Sequence, residues 1–417
     1  MSKIDTINFD NGLTLYLYED KRRHSTFFDF VTLFGGLDKD FILNGKEYHM
    51  HDGIAHILEH YLCECSDSGN FLEELGKKQM NTNASTGYDM TSYYFNAVED
   101  VEYGIKTILN GIYNVSFTQE KLDRLKTPIV QEIRGRSDNK FYHSNIMSIN
   151  NLFNNLSFRT IGGTVDEVQN TTIDEVEACY KAFYQPSNQM IFIAGNFNKD
   201  EVIKTIKDFY NDLKLQNNSF EKIYIDEDIK VRKKEDTLYF STPLDYEEIN
   251  FKIDYSKYSP LEKLNYTFFW NTFFSQYFGM ASPLYKELID KKVITSRINI
   301  QHNEYNDIFV LSIGAYTHDI DYFRDRVLSV INDLDCFNEE MFNLDKNTSI
   351  MDYILRDDSV MSTIMPFIDN VVSLKYPYMD DIKDLELLKF DDFKKAIKKI
   401  DFSNYSITII KDKEKKS

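Results

Sequence analysis

Cysteine is scarce in this sequence, with four residues among 417, at positions 63, 65, 179 and 336. Cys63 and Cys65 are too close along the chain to form an ordinary cross-link between distant segments. We therefore expect reduced thiols and no disulfide framework. Cys65 also comes five residues after His60, off the face of a helix that would carry His60, so we interpret both residues as buried thiols and not as a thiolate site.

Long apolar runs are also missing, because no stretch approaches the length needed to span a membrane. The first six residues, MSKIDT, contain no apolar core of a signal peptide. On these two absences we expect a cytoplasmic protein with no membrane partner.

Basic residues are in the minority, with 48 Lys and Arg against 67 Asp and Glu, which gives a formal net charge of −19. Such a surface repels the phosphate backbone of nucleic acids, and we expect no nucleic-acid partner. If the charge selects a partner at all, it favours neutral or basic peptides. We interpret the acidic surface first as a feature that favours solubility.

The composition that remains is that of a packed globular protein. Residues of the hydrophobic class make up 42% of the chain, aromatic residues 15% and charged residues 28%. A chain of this length can form two or more domains that each bury an apolar core. Disorder is expected only at the ends.

The order of predicted strands and helices occurs twice along the chain. LYKEL at 284–288 stands where FLEEL stood at 71–75, and the strand at 309–315 mirrors the one at 93–97, each before a helical pattern. We predict two homologous α+β domains, 1–222 and 237–417, each a mostly antiparallel sheet flanked by helices. The charged stretch 223–236 is interpreted as the linker, with a solvated strand edge inside one large domain as the alternative.

One short motif carries metal chemistry, His56-Ile57-Leu58-Glu59-His60. Residues four apart share a helix face, so two imidazoles can meet one ion with Glu59 beside them. This order is the signature of the inverzincins, and a catalytic zinc site needs three protein ligands with an open position for water. The third ligand must come from elsewhere in the chain. The alternative is an amphipathic helix with solvated histidines.

The sequence around the motif extends this interpretation, because several segments occur in the order found in one family of peptidases. DGIAHILEH at 52–60 resembles the metal helix of the insulinase (pitrilysin) family, in its short, processing-peptidase-like bacterial branch. The other matching segments are Gly35-Gly36, NTNAST at 81–86, TSYYF at 91–95, IVQE at 129–132 and YQPSN at 184–188. Members of that family fold as two related α+β domains, in agreement with the repeat.

The resemblance implies one Zn²⁺ per chain, held by His56, His60 and Glu132, with Glu59 as the general base. It also implies an edge strand that binds an extended peptide through its main chain, at Asn83, Ala84, Ser85 and Thr86. Asn83 is in addition a candidate donor to the developing oxyanion, with a turn role as the alternative. One position departs from the family, because Leu125 replaces a second glutamate that supports the metal site.

Part of the family's active site is missing from the second domain. The stretch matching the metal helix, 266–278, contains no histidine, and the positions of an arginine and a tyrosine that hold the substrate carry Ile289 and Ser296. Arg297 lies at the tyrosine's end of this segment and does not restore the pair. Some bacterial members pair with a zinc-free sister subunit, which implies a heterodimer here, with a homodimer as the alternative.

These observations predict a zinc metalloendopeptidase subunit that hydrolyses internal bonds of unfolded peptides. Two other interpretations stay open. One is a non-catalytic scaffold subunit of the same family that binds zinc and peptide, favoured by Leu125 and by the missing pair. The other is a metal-dependent hydrolase of another class built on the same helix.

Overall fold

The computed structural model describes residues 4–155, 160–213, 218–224, 226–334, 337–379 and 382–415. Contacts between Cα atoms group the chain into two compact units. Unit 1 consists of Met1–Arg136, Phe158–Tyr224 and Asp357–Tyr378. Unit 2 consists of Ser137–Ser157, Ile225–Arg356 and Met379–Ser417. Each unit therefore includes a segment from the other half of the sequence.

The helices and strands up to residue 222 follow in chain order. They are β1 (Asp5–Asn8), β2 (Thr14–Glu19), β3 (Thr26–Thr32), β4 (Asp40–Leu43), β5 (Lys46–His49), α1 (Ile54–Cys65), α2 (Phe71–Lys77), β6 (Asn81–Thr86), β7 (Thr91–Ala97), α3 (Val101–Tyr113), α4 (Gln119–Ser137), α5 (Lys140–Leu152), α6 (Val165–Asn170), α7 (Ile173–Phe183), β8 (Gln189–Gly195), α8 (Lys199–Asp212) and β9 (Phe220–Lys222).

The elements after residue 222 follow a similar order. They are β10 (Glu235–Phe240), β11 (Asp245–Asp254), α9 (Pro260–Phe278), α10 (Pro283–Asp290), β12 (Asn299–Tyr305), β13 (Ile308–Thr317), α11 (Ile320–Asn332), α12 (Glu339–Arg356), α13 (Val360–Ser373), α14 (Ile382–Leu387), α15 (Phe390–Lys398) and β14 (Tyr405–Asp412). Short 3₁₀ turns lie at Pro186–Asn188 and Lys413–Lys415.

Unit 1 is built on a six-stranded sheet in the order β1-β2-β8-β3-β7-β6. All neighbours pair antiparallel except β2 and β8, which are parallel. Alternate residues of β3 face opposite sides, so Phe28 and Phe30 enter the core beneath α1 while Asp29 faces the other side. On that other side, Phe367 of α13 meets Tyr16 edge to face. The strands β5-β4-β9 form a separate small sheet.

Unit 2 repeats this plan with five strands in the order β10-β14-β11-β13-β12. Only β10 and β14 are parallel among the neighbouring pairs of this sheet. Helix α9 covers one face, where Trp270 stacks on Phe309 with ring centroids 5.1 Å apart. Helix α5 covers the other face, where the Ser148 and Thr408 hydroxyls lie 2.8 Å apart.

The predicted fold class is confirmed, because both units are mixed helix-and-sheet structures built mainly from antiparallel strands. The boundaries predicted from the repeat, with the linker at 223–236, remain a prediction about homologous segments. The two compact units are defined by contacts in space and do not test these boundaries. Helices α5 and α13 each pack on a sheet formed by the other half of the sequence. None of the described helices is both long enough and apolar enough to cross a membrane.

The cysteine prediction is tested at three of the four positions. Cys63, Cys65 and Cys179 are free thiols and buried. Burial raises the pKa of each of these thiols, which makes them poor thiolates. Cys336 lies outside the described residues.

Candidate metal centre

Helix α1 holds the first part of the site, and its two faces have different compositions. Apolar residues at helical spacing enter the core, namely Ile54, Ile57, Leu58, Tyr61 and Leu62. The positions between them place His56, Glu59 and His60 along the other face. Both His56 and Glu59 are more than nine-tenths buried. The polar triplet is therefore held by a helix whose orientation is fixed by its apolar face.

The start of α1 is fixed by a close backbone approach. Gly53 precedes the helix with a φ of 86°, in the left-handed region. A Cβ atom at Gly53 would lie 2.7 Å from the carbonyl oxygen of Gly162, so only glycine fits here. The preceding Asp52 forms a buried ion pair with Lys39 at 2.5 Å. These contacts hold the end of the helix that carries His56.

The three predicted metal ligands come together in the structure. The Nε2 atom of His60 lies 3.6 Å from Oε2 of Glu132, and Nε2 of His56 lies 3.8 Å from the same oxygen. One ligand atom from each residue lies within 4.8 Å of the others. Ligand atoms on a tetrahedral zinc ion are separated by about 3.4 Å, so only a small contraction is needed to bind one. Glu132 is supplied by α4, far from the motif in sequence.

The donor chemistry of this cluster also fits zinc. Two imidazole nitrogens and one carboxylate oxygen form a three-ligand set of the kind found in catalytic zinc sites. Burial lowers the pKa of His56 to about 4, and the nearby His60 lowers it as well. At neutral pH the His56 imidazole is therefore uncharged and free to bind a metal ion. In the described part of the chain, no second cluster of three such side chains is found.

Glu59 lies beside the cluster without joining it. Its Oε2 accepts a hydrogen bond from the Thr86 hydroxyl at 2.5 Å. Burial raises the pKa of the Glu59 carboxyl, and the hydrogen bond from Thr86 opposes that rise. A carboxylate whose pKa is raised towards neutrality is a better proton acceptor than an exposed one. Glu59 is thus suited to move a proton and is held in place by Thr86.

The predicted substrate strand is β6, which lies at the edge of the unit 1 sheet. Among the strands that the structure describes, β6 pairs with β7 alone. Alternate side chains differ in exposure: Asn83 and Ser85 are exposed, whereas Ala84 and Thr86 are half-buried. Ala84 packs on the core and Thr86 bonds to Glu59, so these two share the face towards α1. The side chains of Asn83 and Ser85 point to the opposite face.

The residues that depart from the family pattern have ordinary structural environments. Leu125 is 3% exposed and belongs to the apolar core of unit 1. In unit 2, Ile289 packs partly buried against the core of that unit. Ser296 and Arg297 follow α10 and are exposed to solvent.

Two site residues were not predicted from the sequence, Glu64 and Arg136. Oε1 of Glu64 lies 3.0 Å from Nδ1 of His60, and the guanidinium of Arg136 donates to Oε1 of Glu132. Each lies four residues after the ligand that it contacts, on the same helix. That spacing was the signal available in the sequence, since residues four apart on a helix are neighbours.

Comparison with known protein families assigns both parts of the chain. Residues 45–164 match the family model described as insulinase, peptidase family M16, and residues 170–343 match the one described as peptidase M16 inactive domain. This chain belongs to the insulinase family. The match to the "inactive domain" covers α9, where the sequence lacks the metal motif.

Individual relatives agree with this assignment. The uncharacterized zinc protease YmfH of Bacillus subtilis is 32% identical over 201 residues, which cover 48% of this chain and 47% of that protein. The beta subunit of a mitochondrial-processing peptidase from Arabidopsis thaliana is 24% identical over 172 residues, which cover 39% of this chain and 32% of that protein. These matches span about half the length of the relatives or less.

The fold is shared along the whole chain with solved structures. An M16-like peptidase from Alicyclobacillus acidocaldarius superposes with a TM-score of 0.87 over 98% of both chains, at 20% sequence identity. At that level of identity the likeness establishes the fold and not the reaction. The insulinase resemblance predicted from the sequence motifs is confirmed.

Proposed function

We propose that this chain is the zinc-bearing subunit of a metalloendopeptidase that cleaves internal bonds of unfolded peptides. The observation that carries the proposal is the meeting of His56, His60 and Glu132 around one point, with Glu59 directly beside it. Relatives named zinc proteases support both the metal and the reaction class. Zinc held by these three residues would polarise the scissile carbonyl and supply a nucleophile at neutral pH.

Glu59 has the proton-transfer role in this mechanism. Its Oε2 is occupied by the Thr86 hydroxyl, which leaves Oε1 to accept a proton from the attacking water and pass it to the leaving amine. A residue that moves the proton cannot also serve as a permanent ligand. The three-residue ligand set without Glu59 agrees with this division of roles.

The edge strand β6 provides a place for the substrate. The edge of β6 that does not face β7 can form hydrogen bonds with the main chain of an extended peptide. Such binding recognises the shape of the peptide more than its sequence. Because Thr86 bonds to Glu59, a peptide paired with the end of β6 passes close to the proton acceptor. An unfolded peptide can adopt this extended conformation at any point along its length, so unfolded peptides are the expected substrates.

The sister subunit belongs to the proposal because the second unit lacks two groups. Ile289 and Ser296 stand where an arginine and a tyrosine hold the substrate in active relatives. Loss of oxyanion donors lowers the rate by about a hundredfold or more, so the isolated chain is expected to have low activity. The name of the Arabidopsis relative, a beta subunit, supports a paired arrangement.

The test combines zinc content with cleavage of a mixed peptide library. The samples are the chain alone, the chain with any partner that co-purifies, and Glu59→Gln in both states. About one zinc per chain, with cleavage only in the partnered wild type, supports the proposal. Stoichiometric zinc with no cleavage in any sample would favour the scaffold subunit, for which Leu125 and the missing pair are the supporting observations.

A further inference from the structure

Two charged side chains contact the proposed metal ligands. Each lies one helical turn after the ligand that it contacts, on the same helix. The Arg136 guanidinium donates to Glu132 on α4, and Glu64 bonds to His60 on α1. We propose that Arg136 and Glu64 are positioning residues that hold Glu132 and His60 for zinc and thereby set the affinity of the site. This inference rests on the proposed function, because it requires that zinc is the ligand.

The two oxygens of Glu132 have separate partners. Oε2 faces the Nε2 atoms of both histidines, at 3.6 and 3.8 Å, whereas Oε1 accepts from Arg136. Arg136 therefore restrains the carboxylate through the oxygen that faces away from the histidines. Oε2, the oxygen that would bind the metal, is not the one that accepts from Arg136, and it already faces the nitrogens of both histidines.

The two nitrogens of His60 are divided in the same way. Nδ1 lies 3.0 Å from Oε1 of Glu64, and Nε2 faces Glu132. A carboxylate oxygen accepts hydrogen bonds, so this contact places the N–H of the ring on Nδ1 and leaves the lone pair of Nε2 directed to the metal position. Glu64 thus selects the tautomer that can bind zinc.

These contacts compensate for the departure at position 125. The resemblance places a supporting glutamate there, whereas Leu125 is buried in the apolar core and can hold nothing polar. Glu132 has a side chain that is 35% exposed, so without Arg136 it could rotate into solvent. In this chain the ligands are held by residues one helical turn after them, Arg136 and Glu64, instead of by a glutamate at position 125.

The positive charge of Arg136 opposes its positioning role, because it repels a metal cation. The Arg136 side chain is 48% exposed, and its charge is paired with Glu132, so water and the ion pair screen the repulsion. Loss of an outer contact to a metal ligand weakens metal binding by about 10- to 100-fold. We therefore expect orientation to outweigh repulsion.

The experiment measures the zinc dissociation constant of the full chain by competition with a chromophoric chelator. Arg136→Met and Glu64→Met each remove the contact and are expected to weaken zinc binding about tenfold or more. Arg136→Lys, which keeps a donor, and Glu64→Gln, which keeps an acceptor, should recover part of the loss. Arg124→Met and Glu120→Met are the matched controls, because both residues are exposed on α4 and neither contacts a ligand in the described structure. Both controls should bind zinc as the wild type does.

A second measurement separates positioning from folding. In the zinc-free state, Arg136→Met and Glu64→Met should unfold at the wild-type temperature, while the rise in Tm caused by zinc should shrink. Wild-type affinity or tighter binding in Arg136→Met would overturn the role of Arg136, and wild-type affinity or tighter binding in Glu64→Met would overturn that of Glu64. A wild type that binds zinc but cleaves nothing, both alone and with a co-purified partner, would reject the proposed function and leave this inference standing. A wild type that binds no zinc would reject both.

Discussion

The two units place a long helix on the same side of a similar sheet, and the two helices differ in what they carry. On α1, the face away from the core carries His56, Glu59 and His60. Helix α9 carries no such polar triplet, and its Trp270 lies in the core, where its Nε1 donates to the Tyr255 hydroxyl at 2.6 Å. The fold therefore requires a helix at this place but no polar triplet. The polar residues of α1 are therefore not needed for the fold, which agrees with the proposed metal site.

The largest expected effect is on catalysis, at Glu59. Glu59→Gln keeps the size of the side chain and an acceptor for Thr86 but cannot take a proton. We expect cleavage by the partnered protein to fall by about 10²- to 10⁴-fold, measured as kcat/KM on a peptide substrate. Zinc content should stay at the wild-type level. Retention of more than a tenth of the activity would show that another group accepts the proton.

A substitution in the aromatic core beneath α9 should affect stability instead. Trp270 is 1% exposed and packs against Tyr255, Phe273 and Phe309. Trp270→Ala is expected to lower the free energy of unfolding by about 3–5 kcal/mol, measured by urea denaturation. Glu59→Gln should change the free energy of unfolding much less, because a neutral amide does not carry the desolvation cost of a buried charged carboxylate. A neutral outcome for Trp270→Ala would contradict the structural role assigned to α9.

The opposite faces of the two sheets offer a comparison that depends on pH. Asp29 on β3 and Glu248 on β11 are buried carboxyls on the face away from α1 and α9. Burial raises the pKa of Asp29 to about 7, against a hydrogen bond from Ser92. Burial likewise raises the pKa of Glu248, against a hydrogen bond from Ser148.

A raised pKa in the folded state makes these groups destabilising at high pH. The unfolded chain loses the Asp29 proton near pH 4, so the stabilisation from this group is full below pH 4 and is lost as pH rises through about 7. Asp29→Asn should therefore match the wild type near pH 4 and exceed its stability by about 4 kcal/mol above pH 7. Urea denaturation across this range measures the difference.

Glu248→Gln is the counterpart in unit 2 and should change stability in the same direction. Asp369, whose pKa burial raises to about 6, also contributes to the wild-type pH dependence of unit 1. For that reason the comparison is between each variant and the wild type at one pH. A gap between Asp29→Asn and wild type that stays constant from pH 4 to pH 8 would contradict a raised pKa for Asp29.

The sequence predicts the individual strands and helices whose apolar residues recur at a regular spacing. The strands predicted at 93–97 and 309–315 correspond to β7 and β13, and helical spacing placed His56, Glu59 and His60 on one face. Glu132 has no such signal, because it is a half-buried glutamate on a mostly polar helix. It could be identified only by resemblance to a family.

Other features depend on contacts between distant segments and left no local trace. Each unit includes a helix from the other half of the sequence, because α5 packs on the unit 2 sheet and α13 packs on the unit 1 sheet. The repeat in the sequence does not indicate this exchange. Asp29 sits inside an apolar strand, and its burial follows from α13 covering that face of the sheet. Thr86 was predicted to contact substrate, and its bond to Glu59 depends on how β6 approaches α1.

The smallest expected effect tests two equivalent helices, α4 and α12. Exposed positions of α4 carry Arg124, Gln131 and Arg134, while exposed positions of α12 at similar spacing carry Leu344, Met351 and Ile354. Met351 is 59% exposed, so Met351→Gln should change the free energy of unfolding by less than about 0.5 kcal/mol. Urea denaturation at two protein concentrations provides the measurement. A larger loss that grows with protein concentration would show that the apolar face of α12 is covered in solution by another molecule, and that α12 differs from α4 by contact with a partner and not by composition alone.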